Sequence, residues 1–135
     1  MVAFEQNLKI AKRYLSMLER GVDSAELREV LHTNVLQQEF PNTLAVNGAT
    51  RDLAQMLEGH ERGQQVIAQQ SFEITNAFGS KNQLVLEMCW RGTLAIPIGK
   101  LNEGDVMVAY IATILKFEEN LIITQRNYDC FEPFK

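Results

Sequence analysis

Apolar residues at Phe4, Leu8, Ala11, Leu15 and Leu18 recur at the alternating spacing of one helix face, with Glu5, Lys9, Lys12, Arg13 and Glu19 off that face. Gly21 follows as a left-handed stop. Asp23, with Glu26 three residues later, reads as a capping box that opens a second, short helix carrying Leu27, Val30 and Leu31. The run Val35 to Phe40 suits a short strand ended by Pro41. Asn42, Asn47 and Gly48 are turn residues. Thr50 or Asp52 is positioned to cap a third helix, in which Leu53, Met56, Leu57, His60 and Gln64 share a face. Gly59 and Gly63 either let that helix lie close to a sheet or break it.

From Ser71 onward the period changes to two. Phe72, Ile74, Asn76 and Phe78 alternate with polar residues, and after a Gly79–Asn82 turn Leu84, Leu86, Met88 and Trp90 share the face of a second strand, with Gly92 marking a bend or bulge. Two β-branched and aromatic runs in the closing stretch, Val106 to Phe134, then meet at Glu118-Glu119-Asn120. Helices followed by antiparallel strands predict an α+β fold with helices on one face of a sheet.

Register decides what the polar cluster Gln125 to Asp129 does. A two-residue turn would put Glu119 at positive φ, which Glu disfavours, so a three-residue turn with Asn120 alone left-handed is expected. Leu115, Thr113, Ile111 and Ala109 then share a face with Ile123, Gln125, Asn127 and Asp129, while Tyr110, Arg126, Tyr128 and Cys130 take the other. Neither face is wholly polar, so both need a covering. The first packs on the helices and opens at its polar end into a small-molecule pocket. The second, rich in Tyr and Arg, fits a homodimer interface made by Tyr110, Arg126 and Tyr128.

Composition narrows the partners. The chain of 135 residues fits a single domain, 1–135, with a full core. A net charge of -4 and scattered Lys and Arg give no stripe for nucleic acid. No apolar run is long enough to span a membrane, and the N-terminal stretch lacks the apolar core of a secretion signal. A cytoplasmic location is therefore expected, with Cys89 and Cys130 as buried reduced thiols. There is no Gly-rich phosphate loop, no clustered His and Cys and no nucleophile-plus-base spacing, so no metal or cofactor is expected.

Three stretches carry a family resemblance: GVDSAELREVLHTNV, LVLEMCWRGTLAIP and KFEENLIITQRNYDCFEPF. They resemble, in order and spacing, the second helix, the Trp-to-Gly-Thr strand and the closing hairpin of the nuclear-transport-factor-2-like superfamily, and within it the SnoaL-like, polyketide cyclase-like group. The resemblance implies a cone-shaped curved antiparallel sheet packed on three N-terminal helices, a homodimer, and a pocket between sheet and helices. Relatives include polyketide cyclases, ketosteroid isomerase and limonene-epoxide hydrolase, so fold alone does not give function. The epoxide hydrolases carry an Arg-x-Asp pair on the strand read here as Glu87-Met88-Cys89-Trp90 and a further Asp near the end of the last strand. Met88, Trp90 and Asn127 stand at those places in this chain, which argues against epoxide hydrolysis. Asn127 also takes no proton at neutral pH.

The remaining carboxylates are Asp129 and Glu39, the two candidate acid/base residues; Asp129 needs partial burial to lift its pKa. Candidate ligand-binding residues are Tyr14, Gln38, Trp90, Ile111, Thr113, Gln125 and Asn127, with Trp90 in the cavity wall and its N–H free to donate. Three functions fit: a pocket for a small, mostly apolar ligand that it holds unchanged, an acid/base isomerase or cyclase acting on a small carbonyl compound, and a dimerisation module without ligand. The replaced carboxylate leans toward binding.

Overall fold

The computed structural model describes residues 2–135. Helix α1 (Val2–Arg20) ends as expected at Gly21, whose φ of +63° lets its N–H reach the Leu18 carbonyl while Val22 N–H bonds Met17. Val22 thereby turns back into the core. Asp23 caps α2 (Ser24–Leu27) by accepting the Glu26 backbone N–H at 2.8 Å. The Glu26 side chain instead faces Arg20, so only half of the expected box forms. A single 3-10 turn, Arg28–Val30, leads directly into strand β1 (Leu31–Glu39), which starts four residues earlier than the apolar pattern suggested. Strand β2 (Ala49–Arg51) pairs back on it.

Asp52, not Thr50, caps helix α3 (Leu53–Val66), with a reciprocal capping box to Gln55 at 2.9 Å in each direction. The helix runs unbroken through Gly59 and Gly63 because Leu53, Met56 and Leu57 are buried and anchor its first turns. Four long strands follow: β3 (Ile67–Ser80), β4 (Gln83–Leu94), β5 (Val106–Glu118) and β6 (Leu121–Phe131). With β1 and β2 they form one curved, unclosed six-stranded sheet of order β2-β1-β6-β5-β4-β3. The α+β architecture matches the expectation; one pairing, β1 with β6, is parallel within an otherwise antiparallel sheet.

Two departures from simple alternation matter. The β3–β4 register shifts between Ile74 and Asn76, so Ala77 rather than Phe78 packs on the core and Phe78 is exposed. At the closing hairpin, Glu119 and Asn120 both have positive φ, +55° and +61°, and Glu118 pairs with Leu121: the turn has two residues, not three. A bulge at Ile123 then inserts one extra residue. Parity is restored, so Gln125, Asn127 and Asp129 still face inward, paired with Leu115, Thr113 and Ile111. Before the bulge it is Ile122, fully buried, that enters the core, in place of Leu121 and Ile123.

The core divides. One cluster joins α1, α2 and α3 to the sheet through residues such as Met17, Leu27, Leu84, Leu86, Leu115 and Ile122. A second gathers Trp90, Leu94, Met107, Ala109 and Phe134 at the far end. Phe134 is held there by the Lys100 N–H, which bonds its carbonyl at 2.6 Å. A cavity opens where the two clusters part.

Candidate functional site

The cavity has a volume of about 480 Å³, inside the range of small-molecule sites. Its walls are mainly apolar: Leu15, Leu27, Met56, Leu86, Met88 and Leu115 from the first core cluster, Trp90, Met107 and Ala109 from the second, with Ile111 between them. One strip of polar groups runs along the inward faces of β1 and β6, with Arg51 of β2, Tyr14 of α1 and Thr113 of β5; His60, Arg62 and Gln64 of α3 and Gln70 of β3 are further polar residues of the lining.

That strip is a connected hydrogen-bond chain. Arg51 Nη1 donates to Glu39 Oε1 at 3.0 Å and to Gln37 Oε1 at 3.2 Å. Gln37 Nε2 donates to Gln125 Oε1 at 3.2 Å, where the Tyr14 hydroxyl also donates at 3.0 Å. Gln125 Nε2 donates to Asn127 Oδ1 at 3.2 Å, which accepts a second bond from the Thr113 hydroxyl at 2.9 Å. Burial of polar side chains as deep as Gln125 and Thr113 is tolerable because each is bonded. Burial pushes the Tyr14 phenol up to about 12, with the Gln125 bond pulling the other way, so Tyr14 is a neutral donor.

The two cavity carboxylates differ in their surroundings. Both oxygens of Glu39 are occupied, one by Arg51 and the other by the Asn42 amide at 3.0 Å. Asp129 Oδ1 is buried without a hydrogen-bond partner among the described residues. Burial first, and the Glu39 charge second, push Asp129 from 3.8 up to about 6. One carboxylate is therefore engaged at both oxygens, by a guanidinium and by an amide. The other sits at the cavity able to gain or lose a proton near neutral pH.

Of the residues named from sequence, Asp129, Glu39, Tyr14, Trp90, Ile111, Thr113, Gln125 and Asn127 all line the cavity. Gln38 does not, and that expectation is corrected: Val35 is in the core, so strict alternation along β1 turns Gln37 and Glu39 inward and Gln38 outward beside Arg126. Gln37 takes its place. Trp90 is in the wall, but its N–H is spent on Gln70 Oε1 at 2.8 Å, and Gln70 in turn donates to the Leu18 carbonyl at 3.1 Å. The Trp90 ring also lies over Gly92, where any Cβ would collide with it; Gly92 therefore serves close packing and no bulge falls there on β4. Arg51 was missed because only its neighbours Thr50 and Asp52 stood out, as caps. His60, also on the cavity lining, has Nε2 at 2.6 Å from the Val22 carbonyl.

Tyr110, Arg126 and Tyr128 lie on the outer face of the sheet, Tyr110 and Tyr128 exposed. Phe40 stacks on Tyr128 with ring centroids 4.5 Å apart. Cys89 is buried and Cys130 is exposed, and both are free thiols; the expectation of two buried thiols holds for Cys89 alone. Among the described residues no cluster of His, Cys, Asp and Glu is arranged to hold a metal ion, and no helix is long and apolar enough to cross a membrane.

No family model matches the sequence, and no curated protein matches it. Solved structures do. IdmH from Streptomyces antibioticus, provisionally named a polyketide cyclase, superposes with a TM-score of 0.76 at 16% identity, covering 92% of this chain and 91% of its own. A protein from a Jannaschia species, provisionally named a SnoaL-like polyketide cyclase, gives 0.74 at 13% identity, covering 94% and 87%. A nuclear-transport-factor-2-like protein of unknown function from Burkholderia pseudomallei gives 0.73 at 15% identity, covering 94% and 91%. At such identities the likeness is one of architecture, and it places the chain in the nuclear-transport-factor-2-like fold, beside SnoaL-like structures, as its closing hairpin and Trp strand suggested.

Proposed function

We propose that the chain takes a small, mostly apolar carbonyl compound into the cavity and that Asp129 exchanges a proton with it, the chemistry of an isomerase or a cyclase. The observation that carries this reading is the Asp129 carboxyl, unpaired at Oδ1 and lifted to about 6 by burial and by Glu39. A base is most effective when its pKa lies near the working pH. In this reading Glu39 supplies field and not protons. The apolar wall with Trp90 and Ile111 holds the hydrocarbon part, and the amide strip ending at Asn127 receives the oxygen. Sequence alone favoured simple binding because Asn127 replaces a carboxylate; the setting of Asp129, two residues on along the same strand face, moves the balance to proton transfer. The polyketide cyclase names of the structural neighbours are compatible with carbonyl chemistry of this kind.

The test is exchange of the α-protons of 1-tetralone for deuterium in D2O, followed by proton NMR. The α-C–H bond breaks, Asp129 takes the proton, and the enolate recovers a deuteron after the carboxyl has exchanged with solvent. Wild type is expected to exceed Asp129→Asn by about 100-fold or more, within the range of positioned general bases. Equal rates defeat the reading.

We also propose that the outer face of β4, β5 and β6 closes on a second copy of the chain. Tyr110 is 53% exposed and Tyr128 is 42% exposed on that face, with Leu36 of β1 at 49%. Among the described residues no helix covers them, and exposed aromatic residues around Arg126 suit an interface core.

A further inference from the structure

The hydrogen bonds of the polar strip all run one way. Guanidinium groups only donate, so the Gln37 atom facing Arg51 at 3.2 Å is its oxygen, and its NH2 points along the strip. That NH2 requires an oxygen at Gln125, found at 3.2 Å, which sends the Gln125 NH2 on to Asn127. Asn127 must then present its oxygen backward, where the Thr113 hydroxyl also donates at 2.9 Å. The direction of three amides is thus set by chemistry at one end, not by a free choice at each. At the other end the Asn127 NH2 has no partner among the described residues, and Asn127 lines the cavity. Asp129 lines it too, two positions further along the same strand face, about 7 Å away at the usual strand rise.

We infer that Arg51 and Gln37 are positioning residues that polarise this amide chain, so that Asn127 offers a hydrogen-bond donor to the cavity beside the Asp129 carboxyl, and the site selects ligands whose carbonyl or enolate oxygen adjoins the carbon that exchanges a proton. The inference rests on the function proposed above and adds what sets its ligand preference: the direction of the amide chain, which favours a ketone over a hydrocarbon of equal size. Donor and acceptor stand at neighbouring positions on one strand, matching an oxygen and its α-hydrogen. A chain of opposite polarity would turn the Asn127 oxygen into the cavity and repel the same carbonyl.

Gln37→Glu tests the direction itself. A carboxylate at this position still accepts from Arg51 but donates nothing, so Gln125 has to turn its NH2 toward it and Asn127 has to turn its NH2 toward Gln125. The side-chain volume is unchanged. Binding of 1-tetralone and of tetralin, the same two rings without oxygen, is measured by ligand-observed NMR for wild type, Gln37→Glu and Arg51→Lys, and the carbonyl ¹³C shift of bound 1-tetralone is recorded. Wild type is expected to prefer the ketone by about fivefold, the scale of one neutral hydrogen bond, and to move the carbonyl resonance downfield. Arg51→Lys, still donor-only, keeps both effects. Gln37→Glu loses both while binding tetralin within about twofold of wild type, a result that unfolding or a blocked cavity does not produce. If Gln37→Glu retains the ketone preference and the carbonyl shift, the polarity argument is overturned although the cavity reading survives. If wild type binds neither compound, the proposed function fails and this inference with it.

Discussion

Replacing Asp129 with Asn probes the central electrostatic feature without changing shape. In the folded chain burial and the Glu39 charge hold the carboxyl at about 6, against 3.8 for an unperturbed aspartate. Below pH 3.8 the group is protonated folded and unfolded alike, and its charge costs nothing. Between the two values the unfolded chain releases the proton while the folded chain keeps it, so stability falls as pH rises. Above about 6 the full penalty is in place. At roughly 1.4 kcal/mol per pH unit the gap amounts to about 3 kcal/mol, less whatever residual solvent contact screens. Asp129→Asn removes the charge and therefore stabilises the protein, by up to roughly 1 kcal/mol at pH 4.5 and up to roughly 3 kcal/mol at pH 7.5. Urea unfolding of both proteins across that range measures the difference, and the titrations of groups that do not interact with Asp129 cancel in the comparison. A difference that stays flat with pH, or a variant less stable than wild type at pH 7.5, refutes the reasoning. The expected sign is itself informative, since a residue whose removal stabilises the fold is retained at a cost of folding energy.

Two further outcomes follow from packing and exposure. Gly92→Ala puts a Cβ into the Trp90 ring; a loss of roughly 1–3 kcal/mol is expected, with a shifted emission from Trp90, the only tryptophan in the chain, and unchanged fluorescence contradicts the close approach. Light scattering at micromolar concentration is expected to give a dimer for wild type and a monomer for Tyr128→Asp; a monomeric wild type removes the proposed interface.

Much of the fold was legible because local chemistry and burial agree. Phe4 to Leu18 mark one helical face, Gly21 has only one comfortable use, and Leu84 to Trp90 alternate without interruption. Inward placement of Gln125, Asn127 and Asp129 was legible despite a wrong turn. The two-residue turn and the Ile123 bulge together change the count by the same parity as the three-residue turn that Glu119 seemed to require. What escaped depends on partners distant in sequence. The parallel pairing of β1 with β6 sets Glu39 opposite Asn127, and nothing local in either strand announces it. Gln37 in place of Gln38 was within reach, since Val35 as a core residue fixes the alternation of β1. Arg51 was not, because its role exists only once β2 pairs with β1 and brings the guanidinium to Gln37 and Glu39. The lifted Asp129 carboxyl likewise comes from burial under a cavity wall assembled from every layer of the fold.

The claim that Asp129 is the proton-exchanging group of a ligand cavity is tested most directly by the pH dependence of α-proton exchange in 1-tetralone. The account predicts a wild-type rate that rises through a midpoint near pH 6 as Asp129 ionises and levels off above it, with Asp129→Asn at the uncatalysed background throughout. A wild-type rate that matches the background at every pH, or a midpoint unchanged in Asp129→Asn, contradicts it.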